Sequence, residues 1–173
     1  MCSSDLLAQT DHWQELMRLR DSQREQRRSA IQVVRGDELP LESNAQGDMR
    51  WYLHPAIKDT ALSTLMFFRQ EIPPGGRSGR LKFQGGQVMY ITQGRGHTII
   101  DGVKHAWEAG DIVNLPLRRE GLIIQHFNAS DSETAIFVAC EPNWFECLGV
   151  DRGCGFEQME NAPGYRAPPS GGA

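Results

Sequence analysis

Residues 75–94 read GGRSGRLKFQGGQVMYITQG, and residues 110–128 read GDIVNLPLRREGLIIQHFN. In both stretches, short runs of β-favouring residues are broken by glycine or proline, which end strands abruptly. The dipeptide Asp101-Gly102 lies between the two stretches and is typical of a two-residue hairpin turn. The stretches therefore predict short strands joined by tight turns.

Similar runs continue outward from these stretches. Upstream they occupy residues 31–36, 49–54 and 61–72, and a downstream run occupies residues 134–142. Strands that recur every ~8–12 residues are typical of an all-β sandwich or barrel. We therefore predict an all-β chain whose strands form a jelly-roll barrel.

Residues 4–29 predict an N-terminal α-helix, because apolar residues recur at helical spacing from Leu6 to Met17. Its second half is rich in arginine, but Asp21 and Glu25 interrupt the positive charge. We interpret this half as a solvated face, and the apolar stripe as an arm that a partner subunit can bind.

The 173 residues are expected to form one domain with additions at both ends. We predict an N-terminal helical arm over residues 1–30 and a β-barrel with flanking strands over residues 31–148. Residues 149–173 are predicted to be an irregular segment and a disordered tail, since the tail is rich in proline and glycine.

The glycine, proline and asparagine spacing of the two opening stretches resembles the motifs of the cupin superfamily, G-x5-H-x-H-x3-4-E-x6-G and G-x5-P-x-G-x2-H-x3-N. The resemblance covers residues 61–141 and implies a single cupin barrel, a double-stranded β-helix. Residues 94–116 and the QHFN of residues 125–128 are similar to the gentisate 1,2-dioxygenase-type group. That group opens hydroxylated aromatic rings with iron(II), dioxygen and histidine ligands.

The resemblance places the four metal-ligand positions on Leu81, Phe83, Gln87 and Ile124. A transition metal needs several nitrogen, oxygen or thiolate donors. Three of these side chains are hydrocarbon, and Gln87 supplies one weak neutral oxygen. We therefore expect no metal ion and no other cofactor, so the ring-opening activity does not follow from the resemblance.

Side-chain alternation along strands predicts which residues line the pocket that the resemblance implies. His126 shares its face with Ile124, and its imidazole suits proton transfer near neutral pH, although it also fits a satisfied core residue. Asn128 shares that face too, or instead holds a turn. The predicted ligand pocket consists of Leu81, Phe83, Gln87, Met89, Ile124, His126 and Asn128.

The preferred function is a metal-free cupin that binds a small, partly apolar or aromatic molecule. By resemblance to two-subunit ring-cleaving dioxygenases, it would serve as a non-catalytic subunit or accessory protein. One alternative is a metal-independent isomerase, lyase or cyclase with His126 as acid/base and Gln87 as orienting group. Another is a dioxygenase whose altered metal site recruits Cys140, Glu141 or His54. A barrel filled by its own side chains is the structural alternative, and whether the chain is an enzyme stays open.

The composition limits which classes of partner the chain is expected to bind. A net charge of −4 disfavours binding to nucleic acid, and no apolar run reaches the ~18 residues that span a membrane. The cysteines form no C-x2-C pair, so we expect no structural zinc site. We see no secretion leader and therefore expect a cytoplasmic location, where thiols stay reduced. A homodimer is expected because cupins commonly pair, and the resemblance to two-subunit ring-cleaving dioxygenases makes a larger cupin subunit the other expected partner.

Overall fold

The computed structural model describes residues 11–144 and 157–166. Within these ranges, eleven strands follow one helix, which confirms the predicted all-β class with an N-terminal helix. The elements are α1 (His12–Ser29), β1 (Glu42–Asn44), β2 (Gly47–Leu53), β3 (Leu65–Ile72), β4 (Arg80–Phe83), β5 (Gln87–Gln93), β6 (Arg95–Ile100), β7 (Val103–Glu108), β8 (Ile112–Leu115), β9 (Leu122–Asn128), β10 (Ala135–Pro142) and β11 (Glu157–Glu160).

The strands form two antiparallel sheets. One has the order β1-β2-β3-β10-β5-β8, and the other has the order β11-β4-β9-β6-β7. Both sheets contribute to a single hydrophobic core, in which Phe68, Met89 and Phe137 of the first sheet join Leu122 and Ile124 of the second. The two sheets therefore enclose one interior, as a jelly-roll barrel requires.

Alternation of side chains decides which residues reach this interior. Along β3, Met66, Phe68, Gln70 and Ile72 are buried, whereas the intervening residues are partly exposed. Burial alternates in the same way along the whole of β10. Because both strands are central in their sheet, their inner faces form a large part of the barrel wall.

The predicted hairpin at Asp101-Gly102 is confirmed. Asp101 and Gly102 both have positive φ, at 48° and 85°, and Ile100 pairs with Val103 across the turn. This is the backbone that a two-residue turn between twisted strands requires. The Asp101 side chain also accepts a hydrogen bond from the Ile123 amide at 2.8 Å, which ties the turn to β9.

Helix α1 belongs to a separate compact unit, made of described residues up to Val34 and Lys58–Ala61. Asp11 caps the helix by accepting a hydrogen bond from the Gln14 amide at 3.0 Å. None of the helix residues is buried, in keeping with the predicted solvated face. Residues 4–10 of the predicted helix lie outside the described residues. In the described ranges, no helix is long and apolar enough to cross a membrane.

Two predictions about the flanks are corrected. The strand expected at residues 31–36 is reduced to one bridge, between Ile31 and Thr60, since no other described segment pairs with its β-favouring residues. The segment expected to be irregular over residues 149–173 contains β11, whose Gln158 pairs with Leu81 at the edge of β4. β11 is exposed and polar, so its sequence has no alternating apolar pattern that would predict a strand. It pairs instead because the edge of β4 offers unpaired backbone groups.

Candidate ligand cavity in the barrel

A cavity of about 530 Å³ opens into the barrel. This volume lies within the range of ~300–1,000 Å³ usual for small-molecule sites. Both sheets contribute to its wall. The apolar lining is Met49, Trp51, Met66, Phe68, Leu81, Phe83 and Ile124, and the polar lining includes Glu42, Asn44, Gln46, His54, Gln70, Gln87, His126, Glu141 and Gln158.

Strand register brings the polar side chains to this wall. On the first sheet, Glu141 of β10 lies opposite Met66 of β3. On its other side, β10 pairs with β5, and Gln87 reaches Glu141 across that strand pair. On the second sheet, Leu81 of β4 lies opposite Ile124 of β9. The cavity is therefore built from residues far apart in the chain.

Glu141 and Gln87 form a buried pair. The Gln87 Nε2 donates a hydrogen bond to the Glu141 Oε2 at 2.9 Å, and Glu141 is only 7% exposed. Burial raises the pKa of Glu141 from its ordinary 4.5 to about 7, and the hydrogen bond from Gln87 opposes part of that rise. Glu141 can therefore gain or lose a proton close to neutral pH.

His126 is held by a buried chain of hydrogen bonds. Its Nδ1 lies 2.8 Å from the Thr98 Oγ1, which also accepts a hydrogen bond from the Trp107 Nε1 at 3.0 Å. The Thr98 hydroxyl is fully buried, so its own proton needs an acceptor, and the His126 Nδ1 is the one in reach. This assigns the imidazole proton to Nε2, which has no hydrogen-bond partner among the described residues.

Burial lowers the pKa of His126 from 6.5 to about 4. The ring also packs edge-on against Phe137, with the ring centroids 5.0 Å apart. At neutral pH, His126 is therefore an uncharged imidazole that presents an N–H group, and it is a weak base.

We expect Thr98→Val to lower the free energy of unfolding by ~1–3 kcal/mol, because two buried groups, on His126 and Trp107, lose their partner. Urea unfolding measures the loss, and nitrogen chemical shifts should report a mixed His126 tautomer. Thr92→Val is the matched control, since Thr92 is exposed and should cost less than about 0.5 kcal/mol. Equal losses in both variants would contradict the assigned hydrogen-bond chain.

The structure brings five of the seven predicted pocket residues together at the cavity: Leu81, Phe83, Gln87, Ile124 and His126. Met89 does not reach it, because its side chain is 0% exposed within the core. Asn128 does not reach it either. Its Nδ2 donates to the carbonyl oxygens of Ile72 and Glu133 at 2.9 and 2.7 Å, so it holds the loop after β9, as the alternative prediction had it.

Residues of β2 and β3 were missed by the sequence prediction. Trp51, Met66 and Phe68 line the cavity, although all three lie outside the two opening stretches. The signal was present in β3, where Arg69 and Glu71 mark the outward face and form an ion pair there at 3.0 Å. Their parity assigns Met66 and Phe68 to the interior.

The donors in the cavity do not suit a transition metal. Among the described residues, no three or more His, Cys, Asp and Glu side chains are grouped so that they could hold a metal ion. Glu141, His54 and His126 line the cavity but do not form such a group. Cys140 lies outside the lining, because it alternates with Glu141 along β10. The residues present therefore do not fit the metal that the motif resemblance implies.

The fold and the cavity together define a single-barrel β-protein with an interior of ligand size. Searches with the sequence match no protein-family model and no curated protein. Among solved structures, the chain is similar to the polyketide cyclase RemF from Streptomyces resistomycificus, with 13% identity and a TM-score of 0.54 over 65% of this chain and 79% of that one.

A cupin-like protein from Thermotoga maritima is also similar, at 17% identity and a TM-score of 0.51, over 69% of this chain and 87% of the other. Salicylate 1,2-dioxygenase from Pseudoaminobacter salicylatoxidans matches with 14% identity and a TM-score of 0.52, over 69% of this chain but 31% of the enzyme. The chain has the cupin fold, as the motif spacing predicted.

Proposed function

We propose that this chain is a small-molecule-binding protein whose ligand lies in the barrel cavity and is held without a metal ion. One observation carries the proposal. Leu81, Phe83 and Ile124, at three of the four positions where the resemblance implies metal ligands, form part of the wall of a cavity of about 530 Å³. An apolar wall with a few polar groups is the usual composition of a ligand site.

The wall favours a flat, partly apolar ligand. Trp51 and Phe68 pack against each other with their ring centroids 5.0 Å apart and their planes tilted by 55°, and both line the cavity, so each ring offers its own face to a ligand. Aromatic surfaces stack well on flat apolar molecules and remove a large area of them from water. Gln87, His126 and Glu141 then offer hydrogen bonds that fix the orientation of such a ligand.

Naphthalen-2-ylmethanol is a suitable probe of the cavity, with binding measured by isothermal titration calorimetry. Leu81→Trp fills part of the cavity and should weaken binding of the probe at least tenfold. Leu117→Trp is the matched control, because Leu117 is 64% exposed and lies outside the cavity, and it should bind like the unmodified protein. Unchanged binding in Leu81→Trp would contradict a cavity site.

The metal-free part of the proposal has its own test. Treatment with a chelator should leave binding of the probe unchanged, and metal analysis should find no stoichiometric transition metal in the purified protein. One metal ion per chain, removed by the chelator together with probe binding, would contradict this part and would favour the alternative of a dioxygenase with an altered metal site.

A second candidate, a metal-independent acid/base enzyme, is favoured by Glu141. A group whose pKa is about 7 is well suited to proton transfer near neutral pH, whereas His126, with a pKa of about 4, is not. This candidate therefore assigns the acid/base role to Glu141 rather than to His126, with Gln87 as the positioning residue. The accessory-subunit role, with a second copy or a larger cupin subunit as partner, stays a prediction that co-purification tests.

A further inference from the structure

We propose that the barrel cavity selects a cationic ligand, an amine attached to a flat apolar body, and that the Glu141 carboxylate binds the amine. The inference rests on the proposed function, since it names the class of ligand for the same cavity. It follows from the charges that line the cavity, from the missing counter-charge of Glu141 and from the position of the aromatic wall.

The charges that line the cavity are negative. The titratable groups in its wall are Glu42, His54, His126 and Glu141, and the wall includes no lysine or arginine of the described residues. His126 is neutral because burial lowers its pKa to about 4, and burial also lowers the pKa of His54, an effect that the charge of Glu42 partly opposes. In the described part of the wall, an anionic ligand would thus meet carboxylates and no cationic side chain, whereas a cationic ligand would be attracted.

Among the described residues, Glu141 has no charged partner. In the described ranges its side chain accepts one hydrogen bond, from the neutral amide of Gln87 to Oε2, and it forms no ion pair. Its Oε1 has no partner among those residues. A buried carboxylate with one neutral donor is poorly compensated for the loss of water. An ammonium group on a ligand supplies both a hydrogen bond and the opposite charge.

Aromatic side chains line the same cavity wall as this carboxylate, two positions further along the strand pair. In the β3–β10 register, Phe68 lies opposite Ala139, two residues before Glu141 on the same inner face and so about 7 Å along the strand. Trp51 lies opposite Phe68 on the neighbouring strand β2. Faces of Trp and Phe attract cations and also cover flat apolar groups, so one ligand can use the carboxylate and the aromatic wall together.

Three naphthalene probes of nearly equal size test the inference: naphthalen-2-ylmethylammonium, naphthalen-2-ylmethanol and 2-naphthoate. Titration calorimetry at pH 7.5 should show the ammonium probe binding at least tenfold more tightly than the alcohol, and the carboxylate most weakly. In Glu141→Gln the advantage of the ammonium probe over the alcohol, with both probes measured on the same variant, should disappear.

Proton release provides a second, independent readout. Near pH 7 about half of the Glu141 side chains are protonated, because the pKa is about 7. A bound ammonium group lowers that pKa, so binding should release about half a proton, visible as a dependence of the binding enthalpy on the buffer. The alcohol should release none, and neither probe should release a proton from Glu141→Gln.

The outcomes separate this inference from the function on which it rests. An alcohol that binds as tightly as the ammonium probe, or an ammonium preference that survives in Glu141→Gln, overturns the inference and leaves ligand binding in the cavity intact. If none of the three probes binds, the proposed function is contradicted, and the inference with it.

Discussion

Replacing Phe137 by alanine is expected to lower the free energy of unfolding by about 3–5 kcal/mol, as in other cores that lose a buried aromatic ring. Phe137 is 1% exposed, lies in the middle of β10 and belongs to the core shared by the two sheets. Its ring also supports the imidazole of His126. Urea unfolding followed by circular dichroism measures the change.

Phe67→Ala is the matched control for this experiment. Phe67 lies on the neighbouring strand β3 but points to the outer face of the sheet, where it is only partly buried and packs against Tyr52. We expect less than half of the loss seen for Phe137. A similar loss in both variants would mean that the two faces of this sheet do not differ as the structure has them.

Replacing Glu141 by glutamine should stabilise the protein by about 3 kcal/mol above pH 8. The pKa of Glu141 is higher in the folded protein, at about 7, than its ordinary 4.5. The contribution of Glu141 to the free energy of unfolding is therefore fully present below pH 4.5, where the side chain is protonated. It is lost as the pH rises through 7, because folding must then bury a charged carboxylate. Glutamine never acquires that charge and can still accept the hydrogen bond from Gln87.

The pH dependence of this effect is the diagnostic measurement. Below pH 4.5 the variant and the original protein should be equally stable, and the difference should grow through pH 7. Glu120→Gln serves as the control, because Glu120 is exposed and its replacement should change stability by less than about 0.5 kcal/mol at any pH. A Glu141→Gln variant that is less stable than the original protein at pH 8 would contradict a buried Glu141 carboxylate that costs the folded protein stability.

His126 has the opposite dependence. Its pKa is lower in the folded protein, at about 4, than its ordinary 6.5, so its contribution is present above pH 6.5 and is lost as the pH falls through 4. Between pH 4.5 and 6.5 the contributions of Glu141 and His126 therefore slope in opposite directions. In Glu141→Gln the opposing slope of Glu141 is removed, so stability should increase with pH in this range by more than in the original protein.

Sequence patterns predicted most of the barrel, because its strands are defined by local signals. The run at residues 134–142 became β10, and Asp101-Gly102 became the hairpin between β6 and β7. The strand expected at residues 31–36 failed for the complementary reason. Within the described residues, no strand pairs with its β-favouring side chains beyond the bridge at Ile31, and a sequence that favours β structure forms a strand only where a partner strand is available.

At the candidate site, the sequence likewise predicted some features of single side chains and missed others. Alternation placed Gln87 and Met89 on one face, which is correct, but alternation says nothing about depth. Gln87 reaches the cavity wall and Met89 is sealed in the core. Trp51 and Phe68 belong to the same wall, and nothing in the two motif-like stretches points to them.

By itself, the sequence determined where most of the barrel strands lie along the chain, the cupin-like spacing and the hydrocarbon side chains at Leu81, Phe83 and Ile124, since these depend on local period, turn chemistry and residue identity. The tertiary structure alone decided that Glu141 meets Gln87, 54 residues away, and that Thr98 holds His126. Burial inside the closed barrel raises the pKa of Glu141 to about 7, against the opposing effect of the Gln87 hydrogen bond, and lowers the pKa of His126 to about 4. The physical reason is that the dielectric surroundings and partners of a side chain come from residues distant in the chain, which only the closed barrel brings together.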